Sequence, residues 1–444
     1  MPRYVVYFYH RYVDFRFAEF DAVLKMQGIH DPSTVYAHPP TALDGTTQSP
    51  FVQVTLPSDE VAAAISARCV LVKGIYGLLA SGATYDDVLQ QVLAEQSPLH
   101  PADGTWSFWV DCFGLRLSLQ EQDARRLRIT SVLDFPGVVQ LKNAQFAYWL
   151  FEDKGVLTSE VNVKQVIFAR QVTATSHDSA STRHLIDKHR LKKRKFIGPT
   201  SMDHELSLLM ANLALVVPST FVCDPFVGTA SVLVACAQFG AMCVGGDIDP
   251  QPLLGTRPGI NIAANFAQYD LPAPDLLRWD VAHPPLDQRH NSMRLQFDAI
   301  VCDPPYGMRE SAQSTSVAIG KVTALPPHAI LPPLLLFAAT HLAPRGRLVY
   351  VMACQRRDTN DYAQHVPSHP RLRQLHVCVQ EMTRKWVRLF VILERMEEEG
   401  ENAEPKTPSE GSRRPIVPLS TELSDVLEDV RGPIKRTCGP SCAQ

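Results

Sequence analysis

Four short constellations carry residues whose types and spacing could do chemistry, and they follow one another along the chain. The first, Cys223-Asp224-Pro225-Phe226-Val227-Gly228-Thr229-Ala230-Ser231, lies between a strand-like FVC and a helix-like SVLVACAQF. A tight turn at Gly228 lets backbone N–H groups approach a ligand at a helix start, and the acid at its entry, Asp224, suits a cationic group instead of a phosphate. In Gly245-Gly246-Asp247-Ile248-Asp249, an acid at a strand end suits a ribose diol, which can donate two hydroxyl hydrogen bonds. Asp247 is the better placed for that, and Asp249 suits the cap of the next helix. Trp279-Asp280 closes the run LLRWD with a carboxylate able to accept an adenine amino group.

Asp303-Pro304-Pro305-Tyr306-Gly307 ends the run FDAIVC. Two prolines after a buried strand set a rigid turn, and their missing N–H groups leave carbonyls free to accept. Asp303 and the Pro304 carbonyl then form an acceptor pair that matches an exocyclic amine held in plane, and Tyr306 offers a ring on which a flat base can stack. Each constellation alone has an ordinary reading as a cap, a strand-to-helix turn or a proline turn. Their order along one chain makes them informative together.

The elements around them must bring those strand ends to one place. From about 200 to 395, strand-like FVCDP, AMCVGGDID, LLRWD, FDAIVCDPP and RLVYVMAC alternate with helical stretches, and Leu372–Val379 with WVRLFVILER reads as a terminal hairpin. This predicts an α/β fold with a mostly parallel doubly wound sheet, taking its ligands beyond the carboxyl ends of the strands. Residues 1–50 read as a strand (Tyr4–Tyr9), a helix (Phe15–Gln27) and a Pro/Thr-rich loop. Residues 51–175 read as an α+β module of short elements, dense in aromatics at WSFWVDCF and AQFAYWLFED.

Between the two regions, residues 176–199 form a basic linker carrying Arg183, Lys188, Arg190, Lys192, Lys193, Arg194 and Lys195, with Asp187 the single acid between Arg183 and Lys195. The plain reading is a solvated linker or a localisation signal. The alternative is a strip that contacts the phosphates of a polyanion lying across two domains. Residues 396–444 are rich in Glu, Pro, Ser and Arg and are expected to be disordered.

Composition bounds the rest. A chain of 444 residues with 45% hydrophobic and 20% charged residues is globular and long enough for two to four domains. No apolar run approaches the ~18–20 residues that cross a bilayer, and the start lacks the pattern of a secretory signal. A net charge of −3 excludes a protein coated in basic residues while leaving room for a local basic patch. The ten cysteines are scattered apart from Cys438 and Cys442, whose lone C-x3-C spacing is not that of a zinc site, so no metal is expected. A reduced, cytoplasmic compartment fits this usage.

DPFVGTA, GGDID and DPPYG in this order resemble the S-adenosylmethionine-dependent amino-methyltransferases. More narrowly, LKKRKFIGPTSMDHELSLLMANLALV, NIAANFAQYDL and DPPYGMRES resemble the catalytic subunits of tRNA guanosine-10 N2-methyltransferases, over about residues 166–395 and more loosely through the amino-terminal half. The resemblance implies a Rossmann-like methyltransferase domain at 200–395, a ferredoxin-like segment at 1–50 and a THUMP-like RNA-binding domain at 51–175. It implies that Asp224, Phe226, Gly228 and Thr229 line the S-adenosylmethionine pocket, that Asp247 holds the ribose and that Asp280 holds the adenine amine. Asp303, Pro304, Pro305 and Tyr306 would form the catalytic motif, with tRNA as substrate and a small zinc-binding activator subunit as partner. Ala230 stands where the family often has glycine. The same fold also acts on other tRNA or rRNA guanines and on protein glutamines, although the glutamine enzymes usually carry Asn at the Asp303 position. A non-catalytic RNA-binding protein with a decayed pocket is the reading from another class, and the presence of Asp303, Tyr306 and Asp224 counts against it.

Overall fold

The computed structural model describes residues 1–37, 49–95, 99–155, 163–173, 182–285, 295–305, 329–358 and 361–397, and the backbone alone at 312–315, 322–325 and 327–328. The tail expected to be disordered lies outside the described residues from 398 onward. Two compact units divide the chain, Met1–His189 and Arg190–Gln444.

The first unit runs β1 (Arg3–Phe8), α1 (Phe15–Met26), β2 (Phe51–Thr55), α2 (Asp59–Arg68), β3 (Val72–Gly82), α3 (Tyr85–Ala94), β4 (Thr105–Phe113), α4 (Leu119–Thr130), β5 (Val138–Val139), β6 (Phe146–Asp153), β7 (Gln165–Gln171) and α5 (Thr182–Lys188). Its strands form one seven-stranded sheet in the order β2-β1-β3-β7-β6-β4-β5. β1 pairs antiparallel with β2 on one side and β3 on the other, so the boundary expected at residue 50 does not separate two sheets. The helices start where the sequence supplies caps: Ser58 accepts from Val61 N, and Thr84 with Asp87 and Ser118 with Glu121 close capping boxes. Aromatic residues fill the core, with the Phe108 and Phe168 rings stacked 5.8 Å apart and Trp149 stacked on Phe151 at 5.5 Å.

The second unit runs α6 (His204–Leu213), β8 (Phe221–Asp224), α7 (Ser231–Gln238), β9 (Met242–Asp247), α8 (Pro250–Leu254), α9 (Ile262–Ala267), β10 (Asp275–Arg278), β11 (Phe297–Cys302), β12 (Ala312–Thr315), β13 (Val322–Leu325), α10 (Leu331–His341), β14 (Leu342–Gln355), β15 (Leu372–Glu381) and β16 (Trp386–Arg395). The main sheet has the order β10-β9-β8-β11-β14-β16-β15, and β12 and β13 pair separately. β10, β9, β8, β11 and β14 are parallel, while β16 runs antiparallel to both β14 and β15. This is the mostly parallel Rossmann-like sheet and terminal hairpin expected from the sequence. The order reverses between β8 and β11, and the crevice beyond their carboxyl ends is where such sheets hold ligands.

The core under β16 explains how the hairpin is set. Val387, Leu389, Val391 and Leu393 pack into the cluster of Leu334, Leu335 and Ala338 from the apolar helix α10. Alternation along the strand places Trp386, Arg388 and Phe390 on the opposite face.

The basic linker expected at 176–199 is divided between the units. Thr182 at the start of α5 donates to the carbonyls of Ser66 and Ala67, within the first unit. From Arg190 onward the chain belongs to the second unit, where Asn265 of α9 clamps Phe196 through both its backbone N–H (2.9 Å) and its carbonyl (2.7 Å). Gln268 holds Lys195 N and the Lys193 carbonyl in the same way.

Candidate active site

β8 delivers Asp224 to the sheet edge with only 2% of its surface exposed. Its Oδ1 accepts from Phe226 N at 3.0 Å, which starts the turn. Val227 N then donates to the Gly246 carbonyl at 2.8 Å and Gly228 N to Asp247 Oδ2 at 2.9 Å, tying the turn to the end of β9. Gly228 has a φ of +46°, and a Cβ there would meet nothing nearer than the Phe226 carbonyl oxygen at 4.0 Å, so the turn has open space above it. Ala230, buried at the cap of α7, has φ 60° and ψ 30°. The departure from glycine thus falls on a left-handed residue, a conformation that costs a side chain ~1–2 kcal/mol.

Electrostatics single out Asp224. Burial holds its carboxyl well above the usual carboxylate range, with the negative charges of Asp247 and Asp303 adding to the effect and the Phe226 N–H opposing it. A cationic ligand would offset that cost. Cys223 and Cys302, on either side of the same edge, are fully buried thiols whose pKa burial also raises, and they act as small apolar residues.

A cavity of ≈ 390 Å³ opens at this edge. Asp224, Phe226, Gly228 and Thr229 line it together with Asp303, Pro304 and Pro305, so seven residues expected from sequence share one space. Sequence reasoning missed two further groups of lining residues. Ser201 and Asp203 enter from the segment before α6, where Ser201 Oγ lies 2.7 Å from Thr229 Oγ1 and Asp203 caps the helix. Met382, Trp386 and Arg388 enter from the terminal hairpin. The cap-like Asp203 before an apolar helix was a readable signal for the first group; the second had none.

Asp247 and Asp280 stand elsewhere. Asp247 does not line the cavity; it braces the turn by accepting from Gly228 N and from Asp249 N at 3.0 Å. Asp249 caps α8 through Gln251 N, as expected. Asp280 is buried, accepts from Ala282 N at 2.9 Å and sits 3.4 Å from His283 Nδ1, away from the cavity lining. The paired glycines before Asp247 have packing roles, since a Cβ on Gly246 would overlap the Trp279 indole. Tyr306 lies outside the described residues.

The seven basic residues of the linker differ in exposure. Lys188, Arg190, Lys192, Lys193 and Lys195 are exposed and Arg183 is half-buried. Arg194 departs from the expected exposed strip: the residue is 7% exposed, and its Nη1 donates to Ser231 Oγ at 2.9 Å, bracing the start of α7. Burial lowers its pKa, with Tyr269 and Asp203 opposing. Among the described residues no His, Cys, Asp or Glu cluster could hold a metal, and no helix is long and apolar enough to cross a membrane. Cys438 and Cys442 lie outside the described residues.

Residues 2–177 match the family described as Tmrp11 THUMP N-terminal domain, a single stretch that agrees with the unbroken first sheet. The tRNA (guanine(10)-N(2))-methyltransferase TRMT11 of Xenopus laevis is 32% identical, with 90% of this chain and 86% of that protein aligned. The tRNA (guanine(10)-N(2))-methyltransferase of Saccharomyces cerevisiae is 30% identical, over 88% of this chain and 93% of that protein. The crystal structure of TrmN from Thermus thermophilus aligns with 89% of this chain and 100% of its own at 17% identity and a TM-score of 0.43. Likeness to the Xenopus and yeast proteins extends through both units and nearly end to end: the chain belongs to the family of tRNA (guanine(10)-N(2))-methyltransferases.

Proposed function

We infer that this chain transfers a methyl group from S-adenosylmethionine to the exocyclic N2 amine of guanosine 10 in tRNA. The observation that carries the reading is the meeting, in one cavity at the switch point of the sheet, of the Asp303-Pro304 acceptor pair with the buried carboxyl of Asp224. Family membership supplies the substrate.

The residues present fit the donor. A cavity of ≈ 390 Å³ lies in the range of small-molecule sites, and Asp224 offers a desolvated carboxylate for a cationic ligand. Asp224, Phe226, Gly228 and Thr229 would hold it, with Asp247 bracing the turn. When bound, S-adenosylmethionine supplies a sulfonium methyl group, whose S–C bond breaks as the N2–C bond forms, releasing a neutral thioether.

The chain's own groups do the remainder. Asp303 and the Pro304 carbonyl accept the two N2 hydrogens, which turns the nitrogen lone pair out of conjugation with the ring and aims it at the methyl group. Positioning of this kind supplies much of the acceleration. The Asp303 carboxylate also stabilises the positive charge that grows on N2. The proton leaves N2 after the new bond has formed, when it has become acidic, passing to the Asp303 carboxylate that already accepts it and on to solvent, so no base is needed beforehand. The target base must leave its stack to enter the cavity, which gives the THUMP-containing unit and the exposed lysines of residues 188–195 their place as the RNA-holding parts.

The small zinc-binding activator belongs to the same reading. β10 is an edge strand carrying Leu277 at 41% exposure, and such an edge invites a protein cover. A cytoplasmic location suits a tRNA substrate and is part of the same proposal.

Incubating the chain, co-expressed with its activator, with labelled S-adenosylmethionine and unmodified tRNA tests the whole reading. N2-methylguanosine on a transcript with guanine at position 10, and no label when adenine stands there, is the expected result. Label on both transcripts would move the target, and label on neither would overturn the reading.

A further inference from the structure

The cavity wall furthest from the glycine turn is built by the terminal hairpin, and the chemistry above leaves it unused. β16 is antiparallel to β14, with Gln355 opposite Trp386 and Ala353 opposite Arg388. The first residues of β16 therefore reach the same edge of the sheet as the carboxyl ends of β8 and β11. Across that edge the order is β8, β11, β14, β16, and neighbouring strands lie ~4.8 Å apart. Asp303 thus has the Asp224 turn one strand away on one side and Arg388 about two strands, roughly 10 Å, away on the other.

Arg388 is held in place from one side. Its Nε donates to Oε1 of Gln380, its cross-strand partner on β15, at 2.8 Å, and its guanidinium lies 5.7 Å from the centre of the Phe390 ring. Among the described residues no carboxylate is paired with it. Fixing Nε from behind pre-orients the planar Nη fork. Trp386, two residues earlier on the same face, brings a half-buried indole to the same cavity.

We propose that Arg388 reads the O6/N7 edge of the target guanine while Trp386 offers a face for the base to stack on, so that this wall selects the base. The proposal rests on the functional reading above, in which N2 meets Asp303 and Pro304. In guanine the N2 amine and the O6/N7 edge lie on opposite sides of the purine. With the methyl donor on the glycine-turn side and N2 at the central strand, that edge faces the hairpin. The Arg fork matches the two acceptors O6 and N7, whereas adenine presents a donor amine where O6 would be. The amine-acceptor pair checks that an N2 amine is present; Arg388 checks the rest of the base.

The test compares tRNA carrying guanine at position 10 with tRNA carrying 2-aminopurine there, which keeps the N2 amine and N7 and lacks O6. Single-turnover methylation by the activator complex is measured for wild type, Arg388→Met and Arg388→Lys, alongside S-adenosylmethionine affinity by calorimetry. Arg388→Met is expected to slow guanine methylation by roughly 10–100-fold and 2-aminopurine methylation little, so the preference for guanine collapses. Arg388→Lys, which keeps the charge and loses the fork, narrows it too, and cofactor affinity stays within about twofold in both. An unchanged base preference in either folded, cofactor-binding variant overturns the proposal. Loss of cofactor affinity with the preference intact overturns it as well and assigns Arg388 to the cofactor. A wild-type complex that leaves guanine unmethylated defeats the functional reading itself, and the base-selection proposal with it.

Discussion

Both units bury carboxylates against a seven-stranded sheet, and they treat them in opposite ways. In the first unit, Glu19 is fully buried and accepts from the backbone N–H groups of Val70 (2.6 Å) and Leu71 (2.9 Å). Glu152 accepts from Tyr85 Oη at 2.5 Å and Arg125 Nε at 2.9 Å. Each of these two carboxylates is met by two donors, and the result is structural. In the second unit, Asp224 is as deeply buried, accepts a single hydrogen bond among the described residues, and feels the charges of Asp247 and Asp303. Carboxylates that hold the fold are thus met by donors within it, and one that serves a ligand is held at a cost that the ligand offsets.

The sharpest break of this comparison comes from removing the acceptor. Asp303→Ala should slow methyl transfer by about 10²–10³-fold while S-adenosylmethionine affinity, read by calorimetry, moves by less than about threefold. In the first unit the matching substitution acts on stability instead. Glu19→Ala strands two buried N–H groups and should lower unfolding stability by about 3 kcal/mol in urea titration, with cofactor affinity unaltered. The two effects should not cross over.

Acidity provides a finer contrast. Because burial raises the Asp224 pKa above its unfolded value, its contribution to the stability of the unliganded chain is fully present below the unfolded pKa and is lost as pH rises through the folded pKa. Cofactor affinity should follow the opposite course, strengthening over that same span as the carboxyl ionises. Thermal melts and binding isotherms across a pH series would reveal the two opposed trends. Smallest of all, Ala230→Gly should relieve the left-handed strain at the helix cap and stabilise the second unit by about 1 kcal/mol, visible as a rise of a few degrees in its melting temperature.

How much of this was legible in the sequence depends on how local each feature is. The glycine turn, the Asp-Pro-Pro end of β11 and the alternation of the parallel unit are local in sequence, and they read directly. The hairpin wall was not legible, because Trp386 and Arg388 reach the cavity through antiparallel pairing across β14, and register between distant strands leaves no mark in the chain. The single sheet of the first unit is not legible for the same reason, since β1 inserts between β2 and β3. Arg194 read as one more exposed cation; nothing in KKRK distinguishes the residue that turns inward to Ser231. Asp247 and Asp280 read as strand-end acids, and the structure adds the backbone N–H groups of Gly228 and Ala282 that each accepts from, contacts that a sequence does not show.

Asp224 is a carboxyl buried for a cationic ligand at the expense of the fold, and the ligand's charge favours its ionised form. Thermal unfolding of wild type and Asp224→Asn would be followed at neutral pH with and without S-adenosylmethionine. The expected result is a variant that melts higher than wild type when unliganded and no longer responds to S-adenosylmethionine. A variant that melts lower, or one that keeps the full ligand-induced shift, would contradict the account.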